Sequence, residues 1–210
     1  MTAPADRRPI AARDLGAMQR AAAWLVQRRA SANGISVAGM GAALLAGACL
    51  AAVPSTPETA WVLWLAAALL VQLRLLANLL DGMVAIGRGI ASPVGELFNE
   101  VPDRVSDTAI LAGLGWAAGQ PALGLAAALA AMATAYIRAV GRAAGAPSDF
   151  RGPMAKQHRM ALVTATAVWC ALAPAAWSVT VSGIVLWVIV AGAGLTAVRR
   201  LTGIAKALHR

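Results

Sequence analysis

The sequence predicts an all-α integral membrane protein: six transmembrane helices, an N-terminal interfacial helix, and both termini in the cytoplasm. Three observations predict it. The 210 residues are 60% hydrophobic and only 13% charged, far too apolar for an ordinary soluble domain. Six apolar stretches stand near the roughly 20 residues needed to cross about 30 Å of hydrocarbon. The basic residues also segregate. Threaded from a cytoplasmic N-terminus, the inside segments collect Arg7 to Arg29, Arg88 and Arg104, Arg138 to Arg159, and Arg199 to Arg210. The loops near 54–59, 119–121 and 177–179 hold no Lys or Arg, which is the positive-inside rule.

The elements follow in order. Residues 1–11 are polar with two prolines and are read as disordered. Residues 12–29 place Leu15, Met18, Ala22, Leu25 and Val26 on one side and arginines elsewhere, as in a helix lying in the interface; the alternative is an extension of the first span. Residues 30–200 form one six-helix domain, with spans near 35–53, 60–80, 102–119, 121–137, 160–177 and 178–198, and residues 201–210 a basic cytoplasmic tail. Trp61, Trp64, Trp116 and Trp177 fall near the outer span ends, as an aromatic belt requires. Runs such as Ala38–Ala43 and Ala191–Gly194 let helices approach closely. The second span is dry only from Trp61 to Leu73. Arg74, Asn78 and Asp81 then follow on one stripe, which must line a wet cavity or the protein interior.

Several function classes drop out. The net charge of +9 is spread over every cytoplasmic segment without interleaved aromatics, which suits anionic lipid and anionic substrates better than nucleic acid. Cys49 and Cys170 lie in spans at no metal-ligand spacing, and His158 and His209 cannot build a metal site by themselves. More than thirty residues precede the first apolar run, so no cleavable signal peptide is expected. No internal repeat argues for a transporter of inverted halves. The abundance of Ala, Gly and Arg suits a GC-rich bacterial genome.

The chemistry concentrates between residues 78 and 107. Asn78 and Asp81 are three apart and share a helix face; Asn99, Asp103 and Asp107 are four apart and share another, with Glu96 and Glu100 nearby. Two helix ends bringing Asn78, Asp81, Asn99 and Asp103 together make a hard-oxygen site suited to Mg²⁺ or Mn²⁺ and phosphate-bearing substrates. Helix capping explains one or two such residues, not five at helical spacing. Pro102 predicts a kink or a first turn there. Arg138 and Arg142 end the fourth span, and Arg151, Lys156, His158 and Arg159 precede the fifth. Positive-inside charge accounts for Arg142 and Arg151. Lys156, His158 and Arg159 follow a Gly152-Pro153 turn that could aim them at a phosphate. Asn33-Gly34-Ile35-Ser36, at the mouth of the first span, reads by itself as an N-cap.

Taken together, these residues resemble the CDP-alcohol phosphatidyltransferase family. Its signature, D-x-x-D-G-x-x-A-R-x8-G-x3-D-x3-D, falls here on Asn78, Asp81, Gly82, Ala85, Ile86, Gly95, Asn99 and Asp103 with every spacing kept. The run from Asp103 to Asp107 and that from Asn33 to Ser36 also look like the family, and the resemblance covers roughly residues 12 to 200. It implies a bacterial cytoplasmic-membrane enzyme whose site faces the cytoplasm and which transfers a phosphatidyl group from CDP-diacylglycerol to a hydroxyl acceptor, a polyol or polyol phosphate. CMP is released.

By the same resemblance Asn78, Asp81, Asn99, Asp103 and Asp107 are the metal positions for Mg²⁺ or Mn²⁺, and Asp103 is the catalytic base. Asn33, Ser36, Asn78, Asp81, Gly82, Ala85 and Gly95 meet the nucleotide. Arg138, Lys156, His158 and Arg159 hold an acceptor phosphate. A homodimer is the implied assembly. The departures are Asn at 78 and 99, Ile86 for the signature Arg, and Ala32 for an N-terminal Pro. The site thereby loses two negative charges. Asp107, Glu96 or Glu100 could compensate, Arg88 could stand in for the Arg, a single metal could suffice, or the chain could bind nucleotide-lipid without turnover.

Overall fold

The computed structural model describes residues 15–90 and 93–209, all-helical apart from turns and loops. Residues 1–11, the first three residues of the expected interfacial helix, and Arg210 lie outside the described residues, as does the side chain of Glu96. Among the described residues seven α-helices follow one another: α1 (Gly16–Gln27), α2 (Ala32–Ala52), α3 (Ala60–Gly87), α4 (Pro93–Ala117), α5 (Pro121–Ala143), α6 (Lys156–Leu172) and α7 (Ser178–Leu208). α2 packs on both α3 and α4, α6 lies on α3, and α5 bridges α4 and α7.

α1 is a separate helix. The chain turns at Arg29, whose φ is +56°, and the Ala30 amide closes on Leu25 O at 3.0 Å. α1 lies along α3, where a Cβ on Gly87 would stand 2.9 Å from Val26 Cγ2. Arg88 joins the two by donating Nη1 to the carbonyls of Arg29 and Ala30 at 3.2 and 2.7 Å.

α2 is capped two residues before the expected Asn33. Ser31 is extended and its Oγ accepts the Gly34 amide at 3.1 Å, so Ser31 is the N-cap and Asn33 lies inside the first turn. Along α2 the small residues set the helix spacing. A Cβ on Gly113 of α4 would stand 2.8 Å from Gly47 Cα of α2, and one on Gly47 would stand 2.8 Å from the Ala109 carbonyl carbon. Backbone therefore rests on backbone here, which only Gly permits. This contact seats α4 on α2, and Gly39, where a Cβ would stand 2.8 Å from Ala77 Cβ, seats α3 on it.

Three boundaries differ from the sequence reading. α4 starts at Pro93 and runs on through Pro102, so Asn99 and Asp103 stand inside the helix and Pro102 opens neither its first turn nor a break. α6 starts at Lys156 and ends before Ala173 and Pro174, which puts Lys156, His158 and Arg159 on its first turn. α7 continues to Leu208, so residues 201–208 of the expected basic tail are helical, Gly203 included.

α2 with its following turn, α3, α5 and α7 are long and apolar enough to cross a membrane, counted among the described residues. α4 carries acids along its first half, and α6 has only 17 residues with three basic side chains in its first turn. The exterior is apolar: Leu45, Leu69, Leu129, Leu172 and Trp187 are each at least 60% exposed, as lipid-facing side chains are. Trp61, Trp116 and Trp177 are exposed, but Trp64 is 1% exposed. It belongs to the core with Leu50, Ile110, Leu114 and Leu186 instead of joining an aromatic belt, because its side of α3 is turned inward.

Candidate active site

α3 carries Arg74, Asn78 and Asp81 at helical spacing on the face turned towards α4. α4 answers with Asn99, Asp103 and Asp107, also one turn apart. Asn78 Nδ2 donates to Asn99 Oδ1 at 2.9 Å and to Asp103 Oδ1 at 3.1 Å. Asp81 is buried, and Ser36 of α2 donates its hydroxyl to Oδ2 at 2.5 Å. The four signature positions thus converge from two helices, steadied by a third.

Cations meet them there. Lys156, at the start of α6, donates Nζ to Asn78 Oδ1 at 2.7 Å and to Asp103 Oδ2 at 2.5 Å. Arg74 donates Nη2 to Asp103 Oδ1 at 3.2 Å and to Asp107 Oδ1 at 2.7 Å. Arg159 donates Nη2 to Asp107 Oδ2 at 2.8 Å and Nη1 to Met154 O at 2.8 Å. Both oxygens of Asp107 are therefore held by arginines, in pairs whose side chains are 2–4% exposed. Asp81, Asp103 and Asp107 thus share a cluster with Arg74, Lys156 and Arg159, and Arg104 Nη2 stands 3.7 Å from Asp103 Oδ2 at its edge.

The loop before α6 aims Lys156. Gly152 has φ +128° and packs against Thr196 of α7, where any Cβ would overlap the Thr side chain. The Met154 amide then donates to Thr196 Oγ1 at 3.0 Å. Beside this loop runs a groove of about 600 Å³ lined by Asp149, Phe150, Arg151, Gln157 and Ile204. It contains none of the signature residues.

Other expected residues stand apart. Arg138 donates to Glu100 Oε1 at 2.5 Å and lies over the Phe150 ring. His158 is exposed, with Nδ1 2.7 Å from Pro153 O. Arg88 is committed to the α1–α2 turn. A Cβ on Gly82 would meet nothing within 4 Å among the described residues, so that side of α3 is open. Ala85 is half-buried on the same helix, Asn33 lies in the first turn of α2, and Gly95 is in the first turn of α4. Arg74 is the residue to which the sequence reading gave a place, on one stripe with Asn78 and Asp81, but no role in the site. Its signal was a lone arginine one turn before Asn78 in an apolar span.

The same arrangement of helices occurs in solved structures of phosphatidylinositol phosphate synthase from Mycobacterium tuberculosis. The form with CDP-DAG bound is 21% identical, with 89% of this chain and 92% of that chain covered and a TM-score of 0.73. The form with manganese and citrate is 21% identical over 90% of each chain, with a TM-score of 0.74. The apo form is 22% identical over 90% of this chain and 96% of that one, with a TM-score of 0.71. The fold is theirs. No sequence-family profile and no curated protein sequence matches the chain.

The donor set can be tested against the two divalent ions that the resemblance implies. Among the described residues no three His, Cys, Asp or Glu side chains group to hold a metal. The cavity between Ser36, Arg74, Asn78, Asp81, Asn99 and Asp103 measures about 10 Å³, the room of roughly one water-sized sphere, whereas paired metals stand about 3.5–4 Å apart. Its lining includes one buried acceptor without a partner, Asp81 Oδ1, and a guanidinium with a buried unpartnered donor, Arg74 Nη1. The residues fit one small ion at Asp81 at most, and they do not fit two.

Proposed function

We propose that the chain is a membrane transferase of the CDP-alcohol phosphatidyltransferase family. It moves the phosphatidyl group of CDP-diacylglycerol to the hydroxyl of a polyol or polyol phosphate and releases CMP. The observation that carries this reading is Lys156 Nζ resting on Asp103 Oδ2 at 2.5 Å, over the meeting point of the signature positions. It is supported by a fold shared with a synthase solved with CDP-DAG. In this reading α4 and α6 complete six spans, and both termini and the site face the cytoplasm of the bacterial inner membrane. The small-residue helix faces permit a homodimer.

The chemistry follows from the ion pairs. An incoming diphosphate competes with Asp103 for the Lys156 ammonium. When Nζ turns to a phosphate oxygen, Asp103 Oδ2 is released while Arg74 and Asn78 still hold Oδ1. The freed oxygen is then placed to accept the proton of the acceptor hydroxyl. That hydroxyl oxygen forms a bond to the lipid-side phosphorus as the diphosphate P–O bond breaks, and CMP departs with the electron pair. Lys156 offsets the charge growing on the leaving oxygens. Asn33, Ser36, Gly82, Ala85 and Gly95 border the nucleotide in this reading.

A second reading has one observation in its favour. Every oxygen of Asp103 already accepts a hydrogen bond, as in a protein that binds nucleotide-lipid without turnover. CMP release in lipid nanodiscs, with CDP-diacylglycerol and acceptors from glycerol 3-phosphate and inositol phosphate to serine and plain polyols, decides between them. The transferase gives CMP with one acceptor, lost in Asp103→Asn. Binding of CDP-diacylglycerol with no CMP from any acceptor would establish the second reading.

A further inference from the structure

Asp103 and Asp107 already have their cations, whereas Asp81, among the described residues, is held by Ser36 alone. One ammonium, Lys156 Nζ, bridges Asn78 Oδ1 on α3 and Asp103 Oδ2 on α4 at 2.7 and 2.5 Å. These are the first and last of the four signature positions. The two signature positions that have lost their negative charge, Asn78 and Asn99, are hydrogen-bonded to each other at 2.9 Å. Of the remaining acids, Asp103 is paired with Lys156 and Arg74, and Asp81 lines the same small cavity as Arg74. A divalent ion entering between Asn78 and Asp103 would have to expel Nζ. It would then sit beside Arg74 Nη2, itself 3.2 Å from Asp103 Oδ1, where like charges repel strongly because little water screens them.

Lys156 is also held where it is. Its backbone follows Ala155, 1% exposed, and the Met154 peptide is gripped from both ends, by Thr196 Oγ1 and by Arg159 Nη1. The side chain is 18% exposed. A fixed ammonium with two oxygen ligands does what a monovalent ion does in an oxygen site, with the difference that it cannot be chelated away.

We propose that Lys156 is a tethered cation standing in the place of one divalent ion, so that the chain binds at most one such ion and meets the diphosphate of a nucleotide-lipid with a side-chain ammonium. The identity of that ligand rests on the proposed function; the ion count does not. The loss of two carboxylates and the presence of the ammonium are then one change, because each makes the other tolerable.

The test is a Mn²⁺ titration followed by electron paramagnetic resonance, on the full chain in nanodiscs of zwitterionic lipid. The native chain should bind no more than one Mn²⁺. The triple variant Asn78→Asp, Asn99→Asp, Lys156→Met should bind two, the second at least about tenfold tighter than in Asn78→Asp, Asn99→Asp with Lys156 kept. Lys156→Arg retains the charge and should retain the one-ion limit, and melting curves of every variant check that it is folded. Two tightly bound Mn²⁺ in the native chain would overturn the proposal. So would a second-site affinity that stays within about twofold whether or not residue 156 is a cation. The count needs no turnover: a chain that binds two Mn²⁺ and releases CMP would sink this inference alone, and one that binds one and releases none would leave it standing.

Discussion

Arg74 of α3 donates to Asp107 of α4 at 2.7 Å, inside a helix interface where the two side chains are 2% and 4% exposed. Arg159 takes the other oxygen of Asp107 from α6. One carboxylate thus ties three helices at the level of the site, and its neighbour Asp103 inherits its position from the same Arg74. Asp107 was expected among the metal positions; the structure gives it two guanidinium partners.

Breaking this tie should be costly. Asp107→Asn leaves Arg74 and Arg159 buried without their shared counter-charge, and such losses run to about 3–5 kcal/mol. Thermal unfolding in detergent should show a large fall in melting temperature, and the double change Asp107→Leu with Arg74→Met should recover part of it. A melting temperature unchanged by Asp107→Asn would mean that the network is ornamental.

The contact between α2 and α4 makes a second prediction. Gly113→Ala would bring a Cβ to 2.8 Å from Gly47 Cα, and forced overpacking costs about 1–3 kcal/mol. Gly41→Ala has nothing within 4 Å to meet and should stay within about 0.5 kcal/mol of the native chain. Unfolding measured side by side on the two variants checks the pairing, and equal stability would contradict it.

Much of this was legible in the primary structure because its signals are periodic. Steps of three and four placed Asn78 with Asp81 and Asn99 with Asp103, and the structure brings both pairs together. The positions of the cations were harder. Lys156 reaches the acids because Gly152 packs on Thr196 of α7 and the Met154 amide bonds to the same Thr196, 42 residues from Met154 in the chain. Trp64 looked like a belt residue because sequence position reports depth and not which way a helix faces. Of the two readings of Pro102, a kink or a first turn, the first turn falls because α4 already starts at Pro93.

Ser36 should act through Asp81. Its hydroxyl is the hydrogen-bond donor to that buried carboxylate, at 2.5 Å, and a bond to a charged group is worth about 1.5–3 kcal/mol. Ser36→Ala should lower stability by that order, and Ser36→Thr, which keeps the hydroxyl, should restore most of it. Unfolding measurements on the pair check this; equal losses would assign Ser36 a packing role only.

The loop at the end of α5 carries its own pH dependence. Arg151 donates through its backbone N, Nε and Nη2 to Asp149, and these bonds hold the Asp149 carboxyl below the usual carboxylate range. A depressed folded-state pKa contributes stability above the ordinary carboxylate pKa and loses it as pH falls through the lowered value. The melting temperatures of the native chain and Asp149→Asn should therefore differ at neutral pH and converge in acid. A difference that persists unchanged in acid would contradict the ion-pair account.

The central claim is that Lys156 and Asp103 together turn over a CDP-linked lipid. The most direct measurement is CMP release from CDP-diacylglycerol in nanodiscs, comparing the native chain with Lys156→Met at matched substrate occupancy. The account predicts release by the native chain and a fall of about 100-fold or more in the variant, the scale of one lost electrostatic stabiliser. Native release that survives Lys156→Met unchanged would contradict it.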